Sequence, residues 1–491
     1  MLLLGIDIGT SSVKVSVVDA ETRQPLGSAF YPETEAPISS PQPGWAEQEP
    51  ADWWQRFCQA FNKLKNTVSF DAEAIGAIGI AYQMHGLVVT DKVGKVLRPS
   101  IIWCDSRAVA IGEKANQQLG PAFCLEHYLN SPGNFTAAKL AWVKENQPDL
   151  FHNIAHVMLP GDYIAFRLTG TVSTSPSALS EGVFWDFKTN SPAKELLHYF
   201  GFAENLLPPV QPVFSVHGEL SKAIASELGL RAGIPVSYKA GDQPNNALSL
   251  GVLEPGEVAA TAGTSGVIYA VSDHLEADPQ SRVNSFAHVN HRADNIRTGV
   301  LLCINGTGIL YGWARQQWAP GESYANLNAL AAGAAPGSKG IRVLPFGNGA
   351  ERMLGNRATG VQFSGIDLNL HGRAELFRAI QEGIAFAFRY GLDIMRSNAI
   401  APTQIRAGRT NLFQSEVFLQ SFVAATGVPV SLYPADGSVG AAMGAGIGAG
   451  YYTTPKEAFG NRKAVRTCHT DETPDLEPAY AEWKKLLTAY L

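Results

Sequence analysis

One segment of this chain is written twice. Ile6 to Asp19, IDIGTSSVKVSVVD, reappears at Ala260 to Asp273 as ATAGTSGVIYAVSD, with Gly9, Thr10, Ser11, Val13, Val17 and Asp19 matched by Gly263, Thr264, Ser265, Val267, Val271 and Asp273. Each copy reads as a strand, a tight Gly-Thr-Ser turn and a second strand of alternating apolar positions. Such turns offer backbone N–H groups and hydroxyls to phosphate. The copies differ at a decisive position, where Asp7 has become Thr261. Two phosphate clips with a carboxylate on one side only predict a nucleotide held between two half-molecules, with the metal handled by the first.

A chain of 491 residues exceeds what one hydrophobic core supports, so it is expected to divide into two domains, 1–253 and 254–491, with the boundary near Glu254 to Gly256. Basic residues number 38 against 44 acidic ones, a net charge of −6, so no global basic field exists to attract nucleic acid. The five cysteines, at 58, 104, 124, 303 and 468, are scattered and lack CxxC spacing. That excludes a disulfide framework and a zinc site, and points to the reducing cytoplasm. The opening MLLLGIDIG carries no basic leader and reads as a buried strand. Gly437 to Tyr451 falls short of the ~20 residues of a spanning helix, and its small residues predict a tightly packed internal helix instead.

Along the chain, strands are expected at the two halves of the first hairpin, from Ser28 to Phe30, over Ile75 to Ala81, Leu87 to Asp91, Val96 to Trp103 and Ile234 to Ala240. Helices are expected from Ala51 to Leu64, where Trp54, Phe57, Phe61 and Leu64 share a face, and at Lys139 to Glu145, Gly161 to Leu168, Ala374 to Ser397 and Gln414 to Thr426. Strand, helix, strand order implies an α/β fold, sheets layered with helices. No low-complexity linker separates the halves, which are therefore expected to pack around a cleft.

Asp7, Thr10, Ser11, Ser12 and Lys14 form the strongest local signal: glycines permit close approach, the hydroxyls and Lys14 bind phosphate oxygens, and Asp7 can hold magnesium through water. Gly263, Thr264 and Ser265 repeat the clip. Asp242, in KAGDQPNNA, ends a strand and is the candidate base for a hydroxyl attacking a γ-phosphate, although an Asp before Gln-Pro equally serves as a turn former or N-cap. Gln83-Met84-His85-Gly86 follows a buried strand and offers a hydroxyl-binding imidazole; a structural histidine is the alternative. Trp103 to Arg107 pairs an aromatic with a polar loop suited to sugar recognition, and an Asp105/Arg107 surface pair explains it as well. Asn305 to Gly308 and Ala407 to Asn411 are small-residue loops where a purine and ribose can approach backbone, and Glu351 and Arg352 would face the cleft from another loop or pair with each other.

With these residues in hand, the chain resembles the FGGY carbohydrate kinases over essentially its whole length. IDIGTSSVK is similar to the family's N-terminal phosphate motif, WAEQEPADWW to its tryptophan-rich helix start, and LRPSIIWCDSR, the AGD of Asp242, TAGTSG and LPFGNGAER follow in family order. YQMHG resembles the substrate loop of the xylulokinase branch. The resemblance implies two actin-like, ribonuclease-H-like domains with an interdomain active-site cleft, ATP and Mg2+ as cofactors, and phosphorylation of D-xylulose at its 5-hydroxyl. It implies Asp242 as the catalytic base, Asp7 as a carboxylate important for magnesium and activity, and Met84 and His85 as sugar contacts; beside them Asp242 is a further candidate metal ligand, and Gln83, Trp103, Asp105 and Gln243 are further candidates around the sugar. On the nucleotide it implies Thr10, Thr264, Gly408 and Asn411, to which the turns and loops themselves add Ser11, Ser12, Lys14, Gly263, Ser265 and Gly306 as candidates. A homodimer with no membrane or nucleic-acid partner is the associated expectation. Two departures stand out: Ala407-Gly408-Arg409 replaces a glycine-rich run, and Gln243 stands where Asn is common. A kinase for another ketose, polyol or sugar acid, and a non-catalytic actin-fold ATP switch, are the alternative readings.

Overall fold

In the computed structural model both repeated segments are hairpins, and each begins its own sheet. The structure describes residues 1–275, 277–460 and 462–491. Strand Leu2–Ile8 pairs antiparallel with Val13–Asp19, Ile8 opposite Val13, and the Gly9 N–H closes the turn by donating to the Ser12 carbonyl at 3.0 Å. In the second copy Glu257–Ala262 pairs with Gly266–Ser272, Ala262 opposite Gly266.

The first sheet places its strands in the order Val236–Gly241, Ile75–Tyr82, Leu2–Ile8, Val13–Asp19, Pro25–Tyr31. Its first three strands are parallel and the rest antiparallel. The second sheet repeats that order with Val430–Tyr433, Gln404–Gly408, Glu257–Ala262, Gly266–Ser272 and Thr298–Ile304, and adds Arg466–Cys468 and Asn284–Ala287 at its edges. Two lobes of one mixed topology make this the expected α/β, actin-like architecture.

Parallel neighbours require crossovers, and helix Pro50–Thr67 supplies the first. Trp53, Trp54, Phe57, Phe61 and Leu64 form its buried stripe and pack on Ile6, Ile8, Val13 and Ile80 of the sheet. Helix Arg373–Ser397 fills the corresponding place in the second lobe. The small-residue helix Gly437–Gly448 lies in the second half of the chain but covers the other face of the first sheet, sharing a buried cluster with Leu3, Val18, Ala77 and Tyr238. A side chain on Gly5 would overlap the Ser438 carbonyl, and one on Gly79 the Ala441 carbonyl, so this contact exists only between small residues.

The predicted strand from Val96 to Trp103 survives only as Ser100–Ile101 plus a bridge between Thr90 and Val96; Pro99 has no N–H for the ladder. Strand Val88–Thr90 pairs instead with His156–Met158. Among the described residues no helix is long and apolar enough to cross a membrane.

Candidate active site

Because Leu2–Ile8, Ile75–Tyr82 and Val236–Gly241 run parallel, their C-terminal ends gather at one edge of the first sheet, where open α/β sheets place their ligands. That edge brings together Asp7, the Gln83 to His85 loop, and Asp242, which begins helix Asp242–Ser249. Burial, followed by the negative charge of Asp7, pushes the Asp242 carboxyl up to about 7. Burial and the charge of Asp436 push Asp7 up to about 6, with Lys14 opposing. Lys14 is itself engaged, its Nζ 2.5 Å from Asp436 Oδ2, while Asp436 caps helix Gly437–Gly448 by accepting from Ser438 N at 3.0 Å.

Three buried polar atoms near Asp242 find no partner among the described residues: Gln243 Oε1, Asn245 Oδ1 and Glu181 Oε2. Folded proteins leave few such groups. Glu181 is held by Tyr82, whose hydroxyl donates to Oε1 at 2.6 Å, and its Oε2 lies against Gly241 beside Met84. His85 donates from Nδ1 to the Glu181 carbonyl at 2.8 Å, and its ring packs edge-on against Phe135. Its backbone is left-handed, with φ +62, and its carbonyl accepts from the buried Lys139 Nζ at 2.8 Å. Lys139 escaped the sequence reading because its helix position looked like any other.

Two of the expected sugar contacts belong elsewhere. Asp105 is fully buried: its carboxylate accepts from Ala46 N at 2.6 Å and from Arg107 Nε and Nη2 at 2.7 to 3.0 Å, and Arg107 stacks 3.7 Å over Trp45. It is neither a surface pair nor a cleft-facing group. Gln83 is also buried, donating to Gln48 Oε1 at 3.0 Å and accepting from Thr10 Oγ1 at 3.3 Å, so it braces the Gly9 to Ser12 turn. Trp103 is half exposed and donates from Nε1 to Thr10 Oγ1 at 3.0 Å, tying the polar loop to the same turn.

In the second lobe a cavity of about 770 Å3 is lined by Gly263, Thr264, Gly308, Trp313, Tyr324 and Asn411 among others, with Glu35 of the first lobe at its rim. Thr10, Ser11, Ser12 and Lys14 lie outside it, on the first-lobe hairpin. Gly408 lines a separate 120 Å3 space with Thr261, Asp436 and Gly437. Gly306 is placed differently from the expectation: it abuts the Pro345 carbonyl and donates its N–H to Glu351 Oε1 at 3.2 Å, away from the cavity. Glu351 thus binds backbone rather than Arg352, and burial pushes its carboxyl up to about 7. Trp313, Gln316 and Tyr324 were not singled out, because aromatic residues at helical spacing read as core.

Comparison with known proteins agrees with this fold. Residues 2–249 match the N-terminal domain, and residues 258–449 the C-terminal domain, of the FGGY family of carbohydrate kinases. The chain is 30% identical over 452 residues to the xylulose kinase of Escherichia coli (strain K12), covering 90% of this chain and 88% of that one. It is 29% identical over 469 residues to the xylulose kinase of Bacillus subtilis (strain 168), covering 93% and 90%. The crystal structure of xylulose kinase from Rhodospirillum rubrum superposes with a TM-score of 0.87 at 26% identity, covering 100% of this chain and 99% of that one. Hairpins, sheet order and sequence agree, and the chain belongs to the FGGY family of carbohydrate kinases.

Proposed function

We propose that this kinase transfers the γ-phosphate of ATP to the 5-hydroxyl of D-xylulose, with Asp242 as general base. The observation that carries the reading is Asp242 itself, a carboxyl raised to about 7 at the parallel-strand edge with unpartnered Gln243 Oε1 and Asn245 Oδ1 beside it. The names of the relatives favour xylulose as acceptor.

The sugar lies against Met84, with His85 Nε2 accepting from a hydroxyl, the Gln243 amide engaging another and Trp103 at the open side. Asp242 takes the proton as the 5-oxygen bonds to the γ-phosphorus, the bond to the β-phosphate oxygen breaks, and ADP leaves with that electron pair. Thr10, Ser11 and Ser12 from one turn, and Gly263, Thr264 and Ser265 from the other, hold the phosphates, while Lys14 is held by Asp436. The 770 Å3 cavity takes the adenosine against Asn411. Asp7 and Asp242 fit magnesium: they are neighbouring carboxylates, the charge of Asp7 raises the Asp242 pKa, and Lys14 is committed to Asp436. Magnesium uses one or two carboxylates and completes its shell with water and phosphate. When bound it would neutralise charge on the phosphates. The five free cysteines suit a reducing cytoplasmic setting.

ADP release from the purified chain, measured against ketoses, polyols and aldonates, tests the reading. D-xylulose is expected to give the highest kcat/KM. A polyol or aldonate in first place would replace the acceptor, and turnover indifferent to every sugar would remove the kinase assignment to this site.

A further inference from the structure

Thr410, Ala435 and Asp436 form a wall shared by the 120 Å3 space and a larger cavity of about 730 Å3. One rim of the larger cavity is the turn after the first hairpin, with Thr22 and Arg23, and the strand that follows it, with Ser28; the other is the end of the second sheet. In a chain of net charge −6, this lining holds four cationic side chains, Arg23, Arg409, Arg462 and Lys463, and one acid, Asp436. Asp436 is already neutralised by Lys14.

Arg462 is occupied by the Ser249 and Pro434 carbonyls. The other three cations have no carboxylate within ion-pair distance among the described residues. Arg23 has a buried Nε with no partner among the described residues and lies 5.7 Å over the Tyr452 ring; the nearby Glu457 accepts instead from Thr453 N and Oγ1 at 2.7 Å. Arg409 occupies the run where a glycine-rich sequence was expected, and its side chain lines this cavity rather than the one assigned to adenosine. The proposed catalysis uses none of these charges.

We infer that this cavity is a second, anion-binding site that takes a phosphate monoester. Cationic residues from separate segments around one cavity, Arg23, Arg409 and Lys463, match the charge of a phosphate dianion. The volume is many times the ~30 Å3 share of one water, and the walls formed by Met443 and Phe459 provide apolar surface for an organic moiety. Because its rims belong to different lobes, a ligand here joins them.

Isothermal titration and 31P NMR of the full chain with D-ribose 5-phosphate and with inorganic phosphate test this. The ester is expected to bind at one equivalent with a Kd at or below about 1 mM, and to weaken at least ~10-fold in Arg23→Glu and in Lys463→Glu. Lys463 is exposed, so Lys463→Glu keeps the fold and the sugar-dependent ADP release of the parent, and decides the matter even if Arg23→Glu misfolds. Absence of binding, or binding unchanged in Lys463→Glu, overturns the site. Inorganic phosphate binding as tightly as the ester overturns the ester assignment. These readouts do not depend on which sugar the kinase phosphorylates.

Discussion

Nδ1 of His85 lies 2.8 Å from the carbonyl oxygen of Glu181. A carbonyl only accepts, so Nδ1 carries the proton and Nε2 presents a lone pair. Burial, reinforced by the Lys139 charge, pushes the ring down to about 3, which keeps it neutral in any physiological medium. His85→Ala is expected to raise the sugar KM about 10- to 100-fold, the cost of one buried hydrogen bond, and to leave the ATP KM nearly unchanged. Steady-state kinetics with each substrate varied in turn checks the split, and an unchanged sugar KM removes His85 from the pocket.

Asp242→Asn is expected to lower kcat by about 10²- to 10⁴-fold, the usual contribution of a general base, with nucleotide affinity retained. Only the ionised carboxylate accepts a proton, so wild-type kcat/KM should rise with pH through about 7 and then level. A pH–rate profile flat from 5 to 8 would reject Asp242 as base.

Asp7 leads to a stability prediction of the opposite sign to that of an ordinary paired carboxylate. Its folded pKa, about 6, lies above the unfolded value of 3.8. The folded protein therefore binds more protons between those values, and stability falls as pH rises from about 4 to 6. Asp7→Asn should stabilise the ligand-free protein above pH 6 by on the order of 2 kcal/mol, with the difference vanishing near pH 3, while activity drops. Thermal melts at the two pH values measure it.

Asp105→Ala leaves the buried Arg107 guanidinium without its bidentate partner. A loss of about 3 kcal/mol is expected, seen in denaturant midpoints, with the sugar KM of the surviving folded enzyme little altered. A large KM change at unaltered stability would restore Asp105 to the sugar.

Trp313→Ala should weaken ATP binding about 10-fold, by removing aromatic surface from the 770 Å3 cavity, with no change in sugar KM. Fluorescence titration with a non-hydrolysable nucleotide distinguishes this from a folding defect.

The parts of the fold that were legible are those whose partners are close in sequence. Ile8 pairs with Val13 across a short turn, and the same spelling at Ala262 and Gly266 repeats the pairing, so alternation and turn residues sufficed. The place of Asp242, just past the end of a strand, was readable from the Gly-Asp that follows Ile234 to Ala240. Asp105 was misread because the Ala46 N–H that fixes it comes from a distant loop. Gly306 and Gly308 are indistinguishable in a small-residue loop, yet only Gly308 lines the cavity. A usable signal was present in Gly308, Gly312 and Gln316, which recur every fourth residue and leave one helix face open.

The return of helix Gly437–Gly448 to the first sheet sets the order in which this protein can mature. Until the ribosome has delivered those residues, the face carrying Gly5 and Gly79 has nothing to cover it, so the N-terminal sheet waits, incomplete, through most of synthesis. Severing the chain between the two hairpins would strand that face in water, and the two pieces would regain a native core only by reassociating.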